Sequence, residues 1–281
     1  MRPFTFFAPD PAIADVVDAV WDADISDAKM GREIAINVLP AVSPIMCFHY
    51  RLSIPPEHRP RSRHPLQTLT GVQTSSLKLR PGGPLGAVMV HLKPETAMHI
   101  MGGQMREFTD AHIEICDVLR PMEVSILEER LAEAPGAAAR VRLVQGFLHR
   151  QIRPKPSDLI VQEAARALRR DPNLPINRLA SSFEISERQF ERRFQAVVGA
   201  NPKQFARVVR LGNVVAARRR GSSWADIAYA NGFADQAHMV NDFNSMVGKS
   251  PEAFFRDVAA PEWGELNVSL GMSDFFNTFI T

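Results

Sequence analysis

The chain has 281 residues, 45% hydrophobic and 23% charged, with a formal net charge of +2, the make-up of a soluble globular protein of about two domains. Its two cysteines, Cys47 and Cys116, provide neither a disulfide framework nor a metal-ligand spacing. No apolar run approaches the roughly 20 residues that span a bilayer, and the start Met1-Arg2-Pro3-Phe4 lacks a signal-peptide core, so a cytoplasmic protein without a membrane partner is expected.

Up to about residue 110 the chain reads as β-rich. Residues 15–20 are predicted as a short helix before Trp21. Residues 33–42 and 44–54 carry β-branched and aromatic side chains in short runs, broken by Pro40, Pro44, Pro55 and Pro56. Residues 76–80 alternate polar and apolar, Pro81-Gly82-Gly83-Pro84 turns the chain, and 85–92 is another apolar run. Short strands separated by turns predict a small sandwich or barrel. From 111 the period becomes helical, first at Ile113, Cys116, Val118 and Leu119, then at Val124, Leu127 and Leu131. After Pro135-Gly136 a second stripe runs through Val141, Val144, Leu148 and Ile152. The prolines of 153–157 exclude helix, and Ser157 or Asp158 caps the next one, Leu159–Arg170. The expected layout is an α+β two-domain chain: a β-rich regulatory domain at 1–110, a helical connector at 111–156, an all-α domain at 157–258 and a tail at 259–281, whose Phe275, Phe276, Phe279 and Ile280 are expected to pack back on a domain.

The all-α region contains a repeat. Leu179-Ala180 is followed by Ile185, Phe190 and Phe194 and closes on Gly199-Ala200-Asn201-Pro202 with Phe205 and Arg207. Ile227-Ala228 is followed by Phe233, Met239 and Phe243 and closes on Gly248-Lys249-Ser250-Pro251 with Phe254 and Arg256. Two copies of one supersecondary unit are implied, each reading as helix, tight turn, helix. In the first, Ser186 caps a helix over 187–198 that turns Phe190, Phe194 and Val197 inward. At about 100° per residue, Arg188, Arg192 and Gln195 then cluster on the opposite face, flanked by Gln189 and Arg193. Arginine offers two donors to guanine and glutamine pairs with adenine, which is what a major-groove helix requires. In the second unit Gly232 is the turn residue and the second helix spans 235–246, with Gln236, His238 and Asn241 as base-facing candidates. It carries no Lys or Arg, and Asp235 and Asp242 are expected to repel phosphate, so it should contribute less electrostatic affinity. Pro202 opens an intervening helix of about eighteen residues, roughly 27 Å long, to hold the reading helices near the ~34 Å of one DNA turn.

Charge supports the same reading. Residues 155–220 hold fourteen Lys/Arg against six Asp/Glu, a local excess of +8, whereas 221–281 carry two bases against eight acids. Arg178, Arg193, Lys203, Arg207 and Arg210 are the candidates for phosphate contact, with Arg218, Arg219 and Arg220 behind them.

These residues resemble the AraC/XylS family of bacterial transcriptional regulators over about 158–257. The string from Asp226-Ile227-Ala228 through Gly232-Phe233-Ala234-Asp235-Gln236 to Gly248-Lys249-Ser250-Pro251 is similar to that family's second helix-turn-helix signature, and Ser186-Glu187-Arg188 with Arg192-Arg193-Phe194 fits the first. The resemblance implies base-facing positions for Arg188, Glu191 and Arg192, and for Gln236, Ala237 and Asn241. A basic residue is common in the family where Asn241 stands. In the N-terminal part, Gly71-Val72-Gln73-Thr74 and Leu79-Arg80-Pro81-Gly82-Gly83 are similar to the β-rich regulatory domain of one subgroup. Such domains bind small effectors or mediate dimerisation. The expected function is sequence-specific regulation, as activator or repressor, on double-stranded promoter DNA. Its N-terminal domain would modulate that binding, with RNA polymerase, a small-molecule effector and a second copy as candidate partners.

The alternative makes the N-terminal barrel an enzyme or metal-dependent sensor fused to a DNA-binding domain. His49, His91 and His99 would have to converge there without an acidic partner at a convincing spacing. Cys47 and Cys116 read as small apolar residues rather than nucleophiles. The expectation is therefore no enzyme, no metal and no cofactor.

Overall fold

The computed structural model describes residues 4–26, 36–52, 67–79, 83–153 and 156–258. The strands are β1 Phe4–Phe7, β2 Val17–Ile25, β3 Ile36–Val38, β4 Ile45–Leu52, β5 Thr68–Thr70, β6 Leu77–Leu79, β7 Leu85–Leu92 and β8 His112–Glu114. Six of them form an antiparallel sheet in the order β1-β2-β7-β4-β5-β8, and β3 pairs with β6 in a separate ribbon. The sheet is open, with β1 and β8 at its edges, where closure into a barrel was one of the two expectations.

Register decides which side chains share a face. Val20 faces Val90, Met46 faces Val90 and Leu69, and Phe48 faces Val88. These six belong to one buried cluster with Val124, Leu127 and Leu131 of the helix Pro121–Glu133 and with Val141, Val144, Phe147 and Leu148 of the helix Ala137–Gln151. Preceding these helices is a single turn, α1 Met98–Met101; α2 is Pro121–Glu133 and α3 is Ala137–Gln151. The rings of Phe48 and Phe147 meet edge-on at 5.7 Å. The helices expected to form a connector therefore complete the core of the sheet. Arg140 of α3 reaches the same sheet, donating through Nε (2.7 Å) and Nη2 (2.8 Å) to the buried Asp22. Its guanidinium lies 4.0 Å over the Tyr50 ring.

Two sequence expectations are corrected. Residues 15–20 were expected as helix, but a turn ends at Val16 and β2 begins at Val17. Val17, Val20 and Trp21 are β-formers, and the long pairing with β7 overrides a weak helical period. The apolar spacing at 113–119 also predicted helix. Ile113 instead pairs with Leu69 in β8, and a 3-10 turn follows at Ile115–Asp117.

The C-terminal region is all helical: α4 Leu159–Arg170, α5 Ile176–Ser182, α6 Glu187–Val198, α7 Pro202–Arg219, α8 Trp224–Ala230, α9 Gln236–Val247 and α10 Pro251–Val258. Side chains cap six of these starts, Ser250 accepting from the Ala253 amide ahead of α10. Asp158, Ser186, Ser223 and Asp235 each accept an amide hydrogen of the first turn, and Asn201 forms a capping box with Gln204. Each helix-turn-helix unit has its own core. Phe190, Phe194 and Phe205 anchor the first with Leu168 and Ala180. Phe243, Met239, Ile227 and Phe254 anchor the second with Leu211 and Val215 of α7.

The sheet domain touches both units. Glu95 holds Arg169 of α4 through two bonds of 2.5 and 3.1 Å. The Thr109 hydroxyl donates to Gly199 O (2.7 Å) at the end of α6. The Ser76 amide donates to Met246 O (3.0 Å) and its hydroxyl to Val247 O (3.1 Å) at the end of α9. Leu39 enters the second core, and Val42 and Met98 pack on the first. The tail beyond 258 and the tip of the 80–84 turn lie outside the described residues.

Candidate nucleic-acid interface

The first reading helix is set by aromatic burial. Phe190 and Phe194 are fully buried, and Phe194 meets Phe205 of α7 edge-on at 5.3 Å. Helical geometry then forces Arg188, Gln189, Arg192 and Gln195 outward, and all four are exposed, with Glu191 half-buried beside them. Arg188, Arg192 and Gln195 face Lys203, Arg207 and Arg210 of α7 across an open cleft of about 820 Å³. Five cations line that cleft against the single acid Glu191. Such a concentration of like charge in one groove creates a positive local potential.

The predicted phosphate contacts divide into two groups. Arg178 and Lys203 are exposed; Lys203 lies 3.6 Å from Glu187 and 3.9 Å from Glu191, distances typical of loose surface pairs. Arg193, Arg207 and Arg210 are engaged within the protein. Arg193 donates through Nε and Nη2 to Asp158, both at 2.8 Å, which pins α6 to the start of α4 and raises the pKa of this guanidinium further. Arg207 Nε donates to Asp242 Oδ1 at 2.5 Å, and its Nη2 donates to the Ser245 hydroxyl. Arg210 lies 5.2 Å over the Phe233 ring.

On α9, Met239, Phe243, Met246 and Val247 are buried, and Gln236, Ala237, His238 and Asn241 are exposed together. The two acids expected to repel phosphate have structural partners instead. Asp235 caps the helix by accepting from His238 N at 2.7 Å. Asp242 is turned inward, 13% exposed, and its charge is matched by Arg207. Nothing in residue spacing identifies Asp158 and Asp242 as partners of arginines 35 positions away, although an acid on a groove-facing helix is itself a sign of an internal cation.

The turns of the two units are equivalent in conformation and unequal in residue. Gly232 takes φ +70°, as expected for the turn position. In the first unit the same place is held by Glu184 at φ +56°. A Cβ on Gly232 would stand 2.6 Å from the Asn173 side chain, so the turn of the second unit sits against the α4–α5 connection of the first.

The histidines proposed for a metal alternative are not brought together. His49 faces Ala87 whereas His91 faces Ile45, and His99 lies on α1. Among the described residues no group of three His, Cys, Asp or Glu side chains is placed to hold a metal ion. Burial pushes the Cys47 thiol up to about 11 and the His91 imidazole down to about 3. Among the described residues no helix is long and apolar enough to cross a membrane.

Residues 179–257 match a family model described as a helix-turn-helix domain, and residues 5–114 match one described as a domain of unknown function (DUF6597). No curated protein matches the chain. Among solved structures, ToxT from Vibrio cholerae O395 is similar at 12% identity and a TM-score of 0.44, covering 92% of this chain and 100% of that one. Unsaturated fatty acid bound wild-type ToxT from Vibrio cholerae strain SCE256 gives 12% and 0.44 over 88% and 96%. These are distant likenesses, and the assignment rests on the domain match together with the paired, capped and duplicated helices. The chain carries a helix-turn-helix domain of the AraC type behind an N-terminal domain of unknown function, as expected of a DNA-binding transcription regulator.

Proposed function

We propose that the chain reads promoter DNA with both units, α6 and α9 entering successive major grooves on one face of the duplex. The observation that carries this is the exposed set Arg188, Arg192 and Gln195 on a helix anchored from behind by Phe190 and Phe194. A rigid helix that presents forked donors and an amide at one-turn spacing meets the geometric demand of base-edge recognition. Arg188 and Arg192 are the guanine readers, with Gln189, Glu191 and Gln195 refining the choice, and Gln236, Ala237, His238 and Asn241 read the second segment. Arg178 and Lys203 remain the phosphate contacts, because Arg193 and Arg207 have protein partners. The N-terminal domain modulates this binding, a role supported by its bonds to the C-terminal ends of both α6 and α9. A small effector acting on that domain would reach both grips through the same contacts. Docking of RNA polymerase on the acids of the second unit has less support, since Asp242 faces Arg207.

Replacement of Arg192 by Ala tests the reading. Loss of a bidentate base contact should cost about 1–3 kcal/mol on the selected operator and relax specificity at one position. An equal loss on random-sequence DNA would show that Arg192 only neutralises phosphate.

A further inference from the structure

We propose that Arg207 is a positioning residue: by clasping Asp242 and Ser245 it locks the second reading helix to α7, and so fixes the spacing of half-sites that the protein accepts. The proposal rests on the two-groove reading above.

The two reading helices share one support, α7, but are attached to it differently. The first leads into α7 through the three residues 199–201 and is locked by the Phe194–Phe205 ring contact. The second is separated from α7 by the whole of α8, and meets it through Leu211, Val214 and Val215 packed with Met239 and Phe243. Apolar contacts of this kind hold two helices together without a directional bond to fix rotation about their axes. Arg207 supplies the direction. Its planar fork bonds Asp242 and Ser245, three residues apart and so about 60° short of one full helical turn, on the second half of α9. Asp242 is adjacent to Asn241, so any roll of α9 that frees the carboxylate also displaces a base-facing side chain.

Two further features make α9 depend on this clasp. Asp242 Oδ2 is buried without a hydrogen bond, so removal of Arg207 would strip a mostly buried carboxylate of its ion-pair partner. The helix Gln236–Val247 contains no Lys or Arg, and so has no phosphate attraction of its own to restore its seating.

A phosphate-contact role for Arg207 makes the opposite prediction at Asp242, which gives a clean test. Wild type, Asp242→Asn and Arg207→Lys are compared by binding titration and hydroxyl-radical footprinting on two DNAs: a selected operator, and the same DNA with the second half-site scrambled. Neither variant lowers the positive charge of the cleft. The clasp predicts that both lose at least about tenfold on the full operator, with protection fading over the second half, yet bind the scrambled DNA as wild type does. Unchanged binding of the scrambled DNA also shows that the domain has folded. The proposal is overturned if Asp242→Asn equals or exceeds wild type on the full operator, or if losses are equal on the two DNAs. A wild-type footprint confined to one half-site would instead remove the two-groove reading and the clasp with it.

Discussion

At the level of single residues, outward position and chemical role separate. The helical period places Arg188, Arg192 and Gln195 on one face from the sequence alone, and the structure leaves all three exposed. Arg193 and Arg207 look the same in sequence, but each finds a carboxylate across the fold, at Asp158 and Asp242. Pairing across 35 residues is decided by packing, which no local pattern records. A titratable residue offers a separate test of burial. Asp18 on β2 has its pKa raised from 3.8 to about 6, because desolvation outweighs the attraction of Arg169 and Lys93, and Glu95 adds repulsion. The folded state thus holds this proton more tightly than the unfolded chain, so stability declines as pH climbs from about 4 through 6. Asp18→Asn imitates the protonated form. Its melting temperature should exceed that of wild type at pH 7.5, by a margin that closes toward pH 4. A margin independent of pH would show that Asp18 does not titrate in this range.

At the level of elements, the helices between 159 and 247 were legible because all but α5 combine an apolar stripe with a capping residue, two local signals that agree. Predicted and observed limits of α4, α6 and α7 coincide. The strands were less so. β2 carries Asp18, Asp22 and Asp24, and Asp22 is buried because Arg140 of α3 satisfies it, a compensation supplied from more than a hundred residues away. The pair β5 and β8 has three residues on each strand, too short for alternation to stand out. For the reading elements the aromatic anchor matters most. Phe194 is fully buried and touches both Phe190 and Phe205, so Phe194→Ala should cost about 3–5 kcal/mol in denaturant unfolding of the C-terminal region. A loss below about 1 kcal/mol would mean that α6 is not held by this ring.

At the level of the molecule, the N-terminal and C-terminal regions are joined at both grips: Thr109 at the end of α6, Ser76 at the end of α9 and Glu95 on α4. None of these contacts uses the side chains proposed to face bases, and those on α6 and α9 stay exposed, apart from the half-buried Glu191. Control of DNA binding by this domain would then work through the presentation of α6 and α9 rather than by covering them. The charge layout suits such an arrangement. In the proposed reading the basic first unit would supply encounter and most of the affinity, while the cation-free α9 would add discrimination only when its seating is right. The most direct measurement is a hydroxyl-radical footprint of the full chain on a duplex chosen by repeated selection from random DNA. Two protected patches about 10 base pairs apart on one face are predicted, the stronger under the arginine-bearing unit. A single patch, or uniform weak protection on every sequence, would contradict a regulator that reads DNA with paired helices.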